Sequence, residues 1–299
     1  MKRFMCALMG LSFAAMGSSF TAAQEASEPG MTGPPAVIQV QREFIKPGKA
    51  GAIHDKSESN FVQAMAHAKW PTHYFAVTSM SGPSRALYFV GYPSFEAWQK
   101  DNEAMEKNTE LSTAFERAAQ ADGDLLSSSD QVVLQYDSDL SYHPPAGLGN
   151  VRYLEITVFK IHPGHGMDFR NLEKMYVDGV EKAGIENATW VTFEMAYGGG
   201  GEYVVISADK SMADIDKSNA DGKKFRDALG EDGMKKFSEL EASCVESVDS
   251  ELFAINPKQS YPPETWVKED PTFWIPKPMM TSTKKPGAAK PVESKKAGQ

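Results

Sequence analysis

The chain states one pattern twice. Residues 40 to 51 read VQREFIKPGKAG, and residues 156 to 167 read ITVFKIHPGHGM, so that Pro163-Gly164 stands 116 residues after Pro47-Gly48. The same offset carries Tyr74 onto Trp190 and Gly82 onto Gly198. Each half closes alike, with Tyr142 ahead of Pro144-Pro145 and Tyr261 ahead of Pro262-Pro263. A repeat of this size means two copies of one small folded unit, because a solenoid needs at least three shorter ones. With 299 residues, each copy is long enough to bury a core of its own.

Hydrophobic periodicity supplies the elements. Ile38, Val40 and Phe44 alternate with Gln39, Gln41 and Glu43, which predicts a strand with one apolar and one mixed face. Pro47-Gly48 ends it. From Lys49 to Lys69, Ala50, Ile53, Ser57, Phe61, Ala64 and Ala68 recur at helical spacing, and Trp70-Pro71 stops the helix. The apolar runs 74–80 and 86–92, split by Gly82-Pro83, predict a hairpin. Ser94 is placed to cap a helix through Trp98, a further helix begins at Thr109, and Gln131–Tyr136 reads as the closing strand. The second copy repeats this order. Leu154, Ile156 and Val158 form its first strand, and a helix carries Phe169, Leu172, Tyr176, Val180 and Ala183 up to a Gly184 cap. A hairpin follows at 189–207, then a helix from Ser211 and a last strand at Leu252–Ile255.

This βαββαβ order, with Pro-Gly directly after the first strand of each copy, resembles the dimeric α/β-barrel superfamily. The NIPSNAP-like and antibiotic-biosynthesis-monooxygenase-like branches are the most similar. The resemblance implies an α+β fold in which two ferredoxin-like modules, 37–146 and 151–261, pack sheet to sheet within one chain. In the usual case two chains supply the two sheets.

The flanks carry other signals. Lys2 and Arg3, the apolar run 4–20 and the small residues 21–23 form a signal-peptide pattern over 1–23, followed by a Gly/Pro/Ser-rich leader at 24–36. The mature protein is therefore expected in the periplasm or secreted, with no stable membrane span after cleavage. Residues 262–299 combine an aromatic stretch, Trp266 to Trp274, with a Lys/Pro-rich tail expected to be disordered. The aromatic stretch is expected to pack back on a module or to meet a protein partner. The net charge is −9 although residues 277–299 carry six lysines and one glutamate, so the body is strongly acidic and nucleic acid is excluded as a partner.

No catalytic signature stands out. Neither a Gly-x-Ser-x-Gly elbow nor a His-Glu-x-x-His pair occurs. Gly198–Gly201 lacks the Gly-Lys-Ser/Thr ending of a phosphate loop and joins two strands, so it reads as a hairpin turn. Cys244 is the sole cysteine after residue 23, which excludes an internal disulfide. His54, His67 and His73 fall in one half and His162 and His165 in the other, with no metal-ligand set fixed by spacing, and no cofactor is expected.

With the apolar strand faces assigned to the helix side, the mixed faces line the space between the sheets. The ligand-binding candidates are then Gln41, Glu43, Tyr74 and Thr78 in the first half, and Tyr153, Glu155, Thr157, Trp190 and Glu194 in the second. Inward carboxylates tend to mark sites. The function expected is an exported binding protein for a small, partly apolar ligand. A barrel-type monooxygenase or related oxidoreductase is the alternative, and a structural interaction module the third.

Overall fold

A computed structural model describes residues 33–275. The expected signal peptide, most of the leader and the tail from 276 onward lie outside the described residues. The first half contributes β1 (Val37–Ile45), α1 (Ala52–Ala68), β2 (Tyr74–Ser79), β3 (Arg85–Tyr92), α2 (Phe95–Lys107), α3 (Thr109–Gly123) and β4 (Leu126–Tyr142). The second contributes β5 (Tyr153–Ile161), α4 (Gly166–Lys182), β6 (Trp190–Tyr197), β7 (Glu202–Asp209), α5 (Met212–Cys244, broken at Gly230) and β8 (Val245–Ile255). Two short helices follow, α6 (Glu264–Glu269) and α7 (Pro271–Trp274).

Local signals set many of the boundaries. The Ser94 hydroxyl accepts the Ala97 amide at 3.1 Å, which starts α2. Asn108 ends α2 and caps α3 through Leu111 N–H at 3.1 Å. Gly184 takes φ 64° after α4. Gly198 takes φ 89°, and a Cβ there would lie 2.6 Å from the Gln131 carbonyl oxygen, so the β6–β7 turn requires glycine. β4 and β8 run much longer than their apolar cores. Their polar segments, such as Ser127 to Asp130, are held as strand by pairing with β1.

The eight strands close into a barrel in the order β1-β3-β2-β8-β5-β7-β6-β4, every pairing antiparallel. The α+β class is as expected. Closure comes from β2 pairing with β8 and β4 with β6, so each half supplies the neighbour for the other's edge strands. Among the described residues no helix is long and apolar enough to cross a membrane.

The barrel interior reverses the faces read from the sequence. One apolar cluster draws on all eight strands, including Ile38, Val40, Val77, Leu87, Phe89, Val132, Leu134, Leu154, Ile156, Phe193, Val204 and Phe253. The register is consistent, with Val40 opposite Phe89 and Val132, and Leu154 opposite Phe253. The apolar faces therefore fill the barrel, and the mixed faces lie under the helices or at their margins. An eight-stranded barrel is just wide enough for its own side chains to fill. Its interior is closed by side chains from all eight strands and takes the most apolar face. The helix layer covers the outside only in part and leaves room for polar groups.

The C-terminal aromatics pack into one end of that cluster. Trp274 is buried, and its indole N–H donates to Gly149 O at 2.8 Å. Trp266 lies 5.8 Å from the Phe75 ring, and Arg152 stacks on Phe273 and pairs with Asp270.

Candidate functional site

Under α1 and α3 of the first half, four ionisable side chains meet out of water. Glu43 points outward from β1. His54 and Glu58 sit one turn apart on α1, and so share a face. Asp122 comes from the last turn of α3. Relative exposures are 8% for Glu43, 0% for His54, 3% for Glu58 and 2% for Asp122. His54 Nε2 lies 3.2 Å from Glu43, 3.6 Å from Asp122 and 3.9 Å from Glu58. One ligand atom from each of the four falls within 4.8 Å of all the others.

The face of α1 that is buried is thus not the predicted one. Ile53 is 50% exposed, while His54, Glu58 and Met65 turn inward. The sequence reading placed small and apolar residues inside, and here polar groups override that pattern.

A hydrogen-bonded layer fixes the imidazole from the other side. The Gln259 amide nitrogen lies 3.2 Å from His54 Nδ1 and donates to Asp55 at 3.0 Å, while its carbonyl accepts from the Tyr88 hydroxyl at 3.2 Å. Asp55 is held in turn by Asn256 at 2.9 Å and Lys258 at 3.0 Å. Nδ1 thus faces the Gln259 amide and Nε2 faces Glu43.

The electrostatics are lopsided. Among the described residues no lysine or arginine forms an ion pair with Glu43, Glu58 or Asp122, whose one ion-pair partner is His54. Burial, then the nearby Glu43 and Asp122 carboxylates, push Glu58 up to about 9. Burial, then Glu58 and Glu43, raise the Tyr74 and Tyr88 hydroxyls well above their ordinary range. Both oxygens of Asp122, Oε1 of Glu58, the Tyr74 hydroxyl and Oε1 of Gln41 are buried with no hydrogen-bond partner. Buried polar atoms are rarely left so.

A cleft of about 420 Å³ adjoins the cluster on the His54 side. It opens where the start of α1, the β2–β3 turn and the segment after β8 meet. His54 and Gln259 are in its lining, with Asp55, Thr78, Arg85 and Lys258 around them.

The second half is built differently at the matching place. Phe159, 116 residues after Glu43, packs against Phe169 of α4 at 5.4 Å between ring centroids. Glu173, 115 residues after Glu58, stays buried, and burial pushes it up to about 7. An apolar pair thus fills the second half where Glu43 meets His54 in the first, so the fold itself does not require the polar cluster.

None of the nine residues read from the sequence as ligand-binding candidates faces the barrel interior. Gln41, Glu43 and Tyr74 lie at or beside the buried cluster, and Thr78 lines the cleft. The second-half five are dispersed. Trp190 donates to Leu140 O at 2.9 Å and stacks on Tyr142. Thr157 bonds Ser250 at 2.9 Å. Glu155 stands near Asp209, which burial and then Glu155 raise to about 6. Tyr153 lies opposite Asp209 and Ala254, and Glu194 is exposed. Sequence reasoning missed Glu58, Asp122, Tyr88 and Gln259, and noted His54 without partners. The i, i+4 spacing of His54 and Glu58 was the available signal. The other histidines are elsewhere: His67 is exposed beside Glu110, His73 stacks on Tyr261, and His165 pairs with Asp168 at 2.9 Å.

No protein-family model matches the chain, and no curated protein matches it. Solved structures are similar in fold at low identity. A double mutant of chlorite dismutase from Candidatus Nitrospira defluvii is 9% identical, with a TM-score of 0.46, over 80% of this chain and 98% of that one. An anthrone oxidase-like protein is 13% identical, with a TM-score of 0.44, over 74% and 92%. A protein of Lactobacillus acidophilus NCFM, provisionally described as a monooxygenase, is 8% identical, with a TM-score of 0.46, over 73% and 93%. These are likenesses of backbone arrangement, and no residue role comes with them.

Proposed function

We propose that the protein is an exported small-molecule binding protein in which duplication has let the two halves diverge. The first half holds the site, and the second completes the barrel as scaffold. The observation that carries this reading is the asymmetry at matched positions, Glu43 against His54 in one half and Phe159 against Phe169 in the other. The ligand site moves from the barrel interior, which apolar side chains occupy, to the cleft in front of His54 and Gln259. Its volume falls in the range of small-ligand pockets. Its lining, with Asp55, Thr78, Arg85 and Lys258, suits a small polar molecule better than a partly apolar one.

Thermal-shift screening of the secreted protein against small polar metabolites, followed by chemical-shift mapping, tests it. Hits should perturb Thr78, Lys258 and Gln259, and Thr78→Trp should block them. Hits that map to the second half, or survive Thr78→Trp unchanged, would overturn the assignment.

A second reading, a barrel-type oxidoreductase, has one observation in its favour: His54, held between Glu43 and Gln259, is oriented to move a proton at the cleft floor. Oxygen consumption with quinol-like substrates that is lost in His54→Gln would support it, and no turnover would remove it. The third reading, docking through Trp266–Trp274, competes with the packing of Trp274 into the barrel.

A further inference from the structure

We propose that Glu43, His54, Glu58 and Asp122 form a binding site for one divalent first-row metal ion, beside the cleft. The proposal rests on the reading of the first half as the specialised one, and it names what that site holds.

The argument begins with charge. Three carboxylates surround one imidazole in a space closed to water. The Gln259 amide nitrogen lies 3.2 Å from Nδ1, and that side chain is tied to Asp55 and Tyr88. Among the described residues no lysine or arginine pairs with any of the three carboxylates, and His54 is their one ion-pair partner. Buried charge of this kind is paired or bound to metal.

The second observation is independent of the acidic cluster as such. Asp122 is 2% exposed at the end of α3, its Oδ1 lies 3.6 Å from His54 Nε2, and neither of its oxygens accepts a hydrogen bond from an N–H or hydroxyl group. Oε1 of Glu58 also lacks such a donor. A carboxylate kept for packing alone would not be carried into the interior without one.

The geometry fits a small cation. Ligand atoms 2.0–2.2 Å from a common ion lie at most about 4.4 Å apart. The four groups fall within 4.8 Å of one another, so a small inward movement completes the site. Three oxygen ligands and one imidazole suit Mn2+, Fe2+ or Zn2+ better than Ca2+, which takes oxygen alone, or the thiolate-seeking ions. A ligating histidine needs an outer partner at its second ring nitrogen, and the Gln259 side chain stands 3.2 Å from Nδ1. Gln259 also lines the cleft, so the two sites share one side chain.

The test uses the full mature chain, stripped with chelator and titrated with Mn2+ and, separately, Zn2+. Calorimetry should show one equivalent of either ion. Bound Mn2+ should show nitrogen modulation in pulsed electron paramagnetic resonance, and His54→Gln should abolish it. Asp122→Asn and Glu58→Gln should each weaken binding at least about tenfold, with unchanged circular dichroism, whereas Glu173→Gln in the second half should bind as the parent does. If the variants do not fold, the nitrogen modulation of the parent protein decides alone. A silent titration with both ions, binding without nitrogen modulation, or an Asp122→Asn protein that binds normally would each overturn the proposal. The ligand reading is judged separately. Hits blocked by Thr78→Trp in metal-free protein would preserve it while the metal site falls, and stoichiometric metal with no cleft ligand would do the reverse.

Discussion

Cutting the chain between its halves is the sharpest test of the barrel. A fragment of residues 37–146 keeps β1 to β4 and α1 to α3 but loses β8 and β6, the neighbours of β2 and β4. It also uncovers its share of the barrel interior: Ile38, Val40, Val77, Leu87, Phe89, Val132 and Leu134. Burial of each such side chain stabilises by ~1.5–3 kcal/mol. Re-exposing even half of that set therefore removes ~5–10 kcal/mol, against a total domain stability of ~5–15 kcal/mol. The helix-side core around Met65, Trp70, Tyr88 and Leu111 keeps its own residues but loses Tyr261 and Gln259, and cannot carry the fragment alone. The fragment should aggregate or form a homodimer in which β2 of one copy pairs with β4 of the other. Light scattering gives the mass, and calorimetry at several concentrations gives a melting temperature that rises with concentration. A monomer melting cooperatively near the full chain's temperature would refute the reasoning.

Other outcomes follow from single sites. In metal-free protein Glu58 titrates near 9 when folded against about 4.5 unfolded, so its contribution is fully present below pH 4.5 and is lost as pH rises through 9. Stability of the parent should fall across that window by up to about 1.4 kcal/mol per pH unit, and urea titrations of Glu58→Gln should show a flatter profile. Glu173, raised to about 7, acts in the same sense over pH 4.5 to 7, and Glu173→Gln should flatten that narrower window. Trp274→Ala should cost about 3–5 kcal/mol in urea unfolding, since it empties a buried ring from the barrel end and frees the Gly149 carbonyl. Gly198→Ala should lower the melting temperature, because its φ of 89° and the 2.6 Å approach to Gln131 O leave a methyl no room.

The sequence by itself determined the alternation of the strands, the Pro-Gly endings, the starts of α2 and α3 at Ser94 and Thr109, and the βαββαβ order that leads to an α/β barrel. These are local matters. A period of two, a capping side chain or a proline acts within a few residues, and its effect can be read where it stands. The tertiary structure alone decided which face of each strand is inside. Ile38 and Gln41 lie on opposite faces in any register, but only closure of the barrel joins side chains from all eight strands into one interior, and closure depends on pairings such as Thr78 with Ala254. The buried cluster has the same origin. Glu43, His54 and Asp122 come from a strand and two helices spread over some 80 positions, and they meet because β1, α1 and α3 are stacked in one half of the barrel. Gln259 reaches them from beyond the last strand of the other half. Sequence spacing shows that His54 and Glu58 share a helix face. That this face meets two more carboxylates with no cation beside them is a property of the packing.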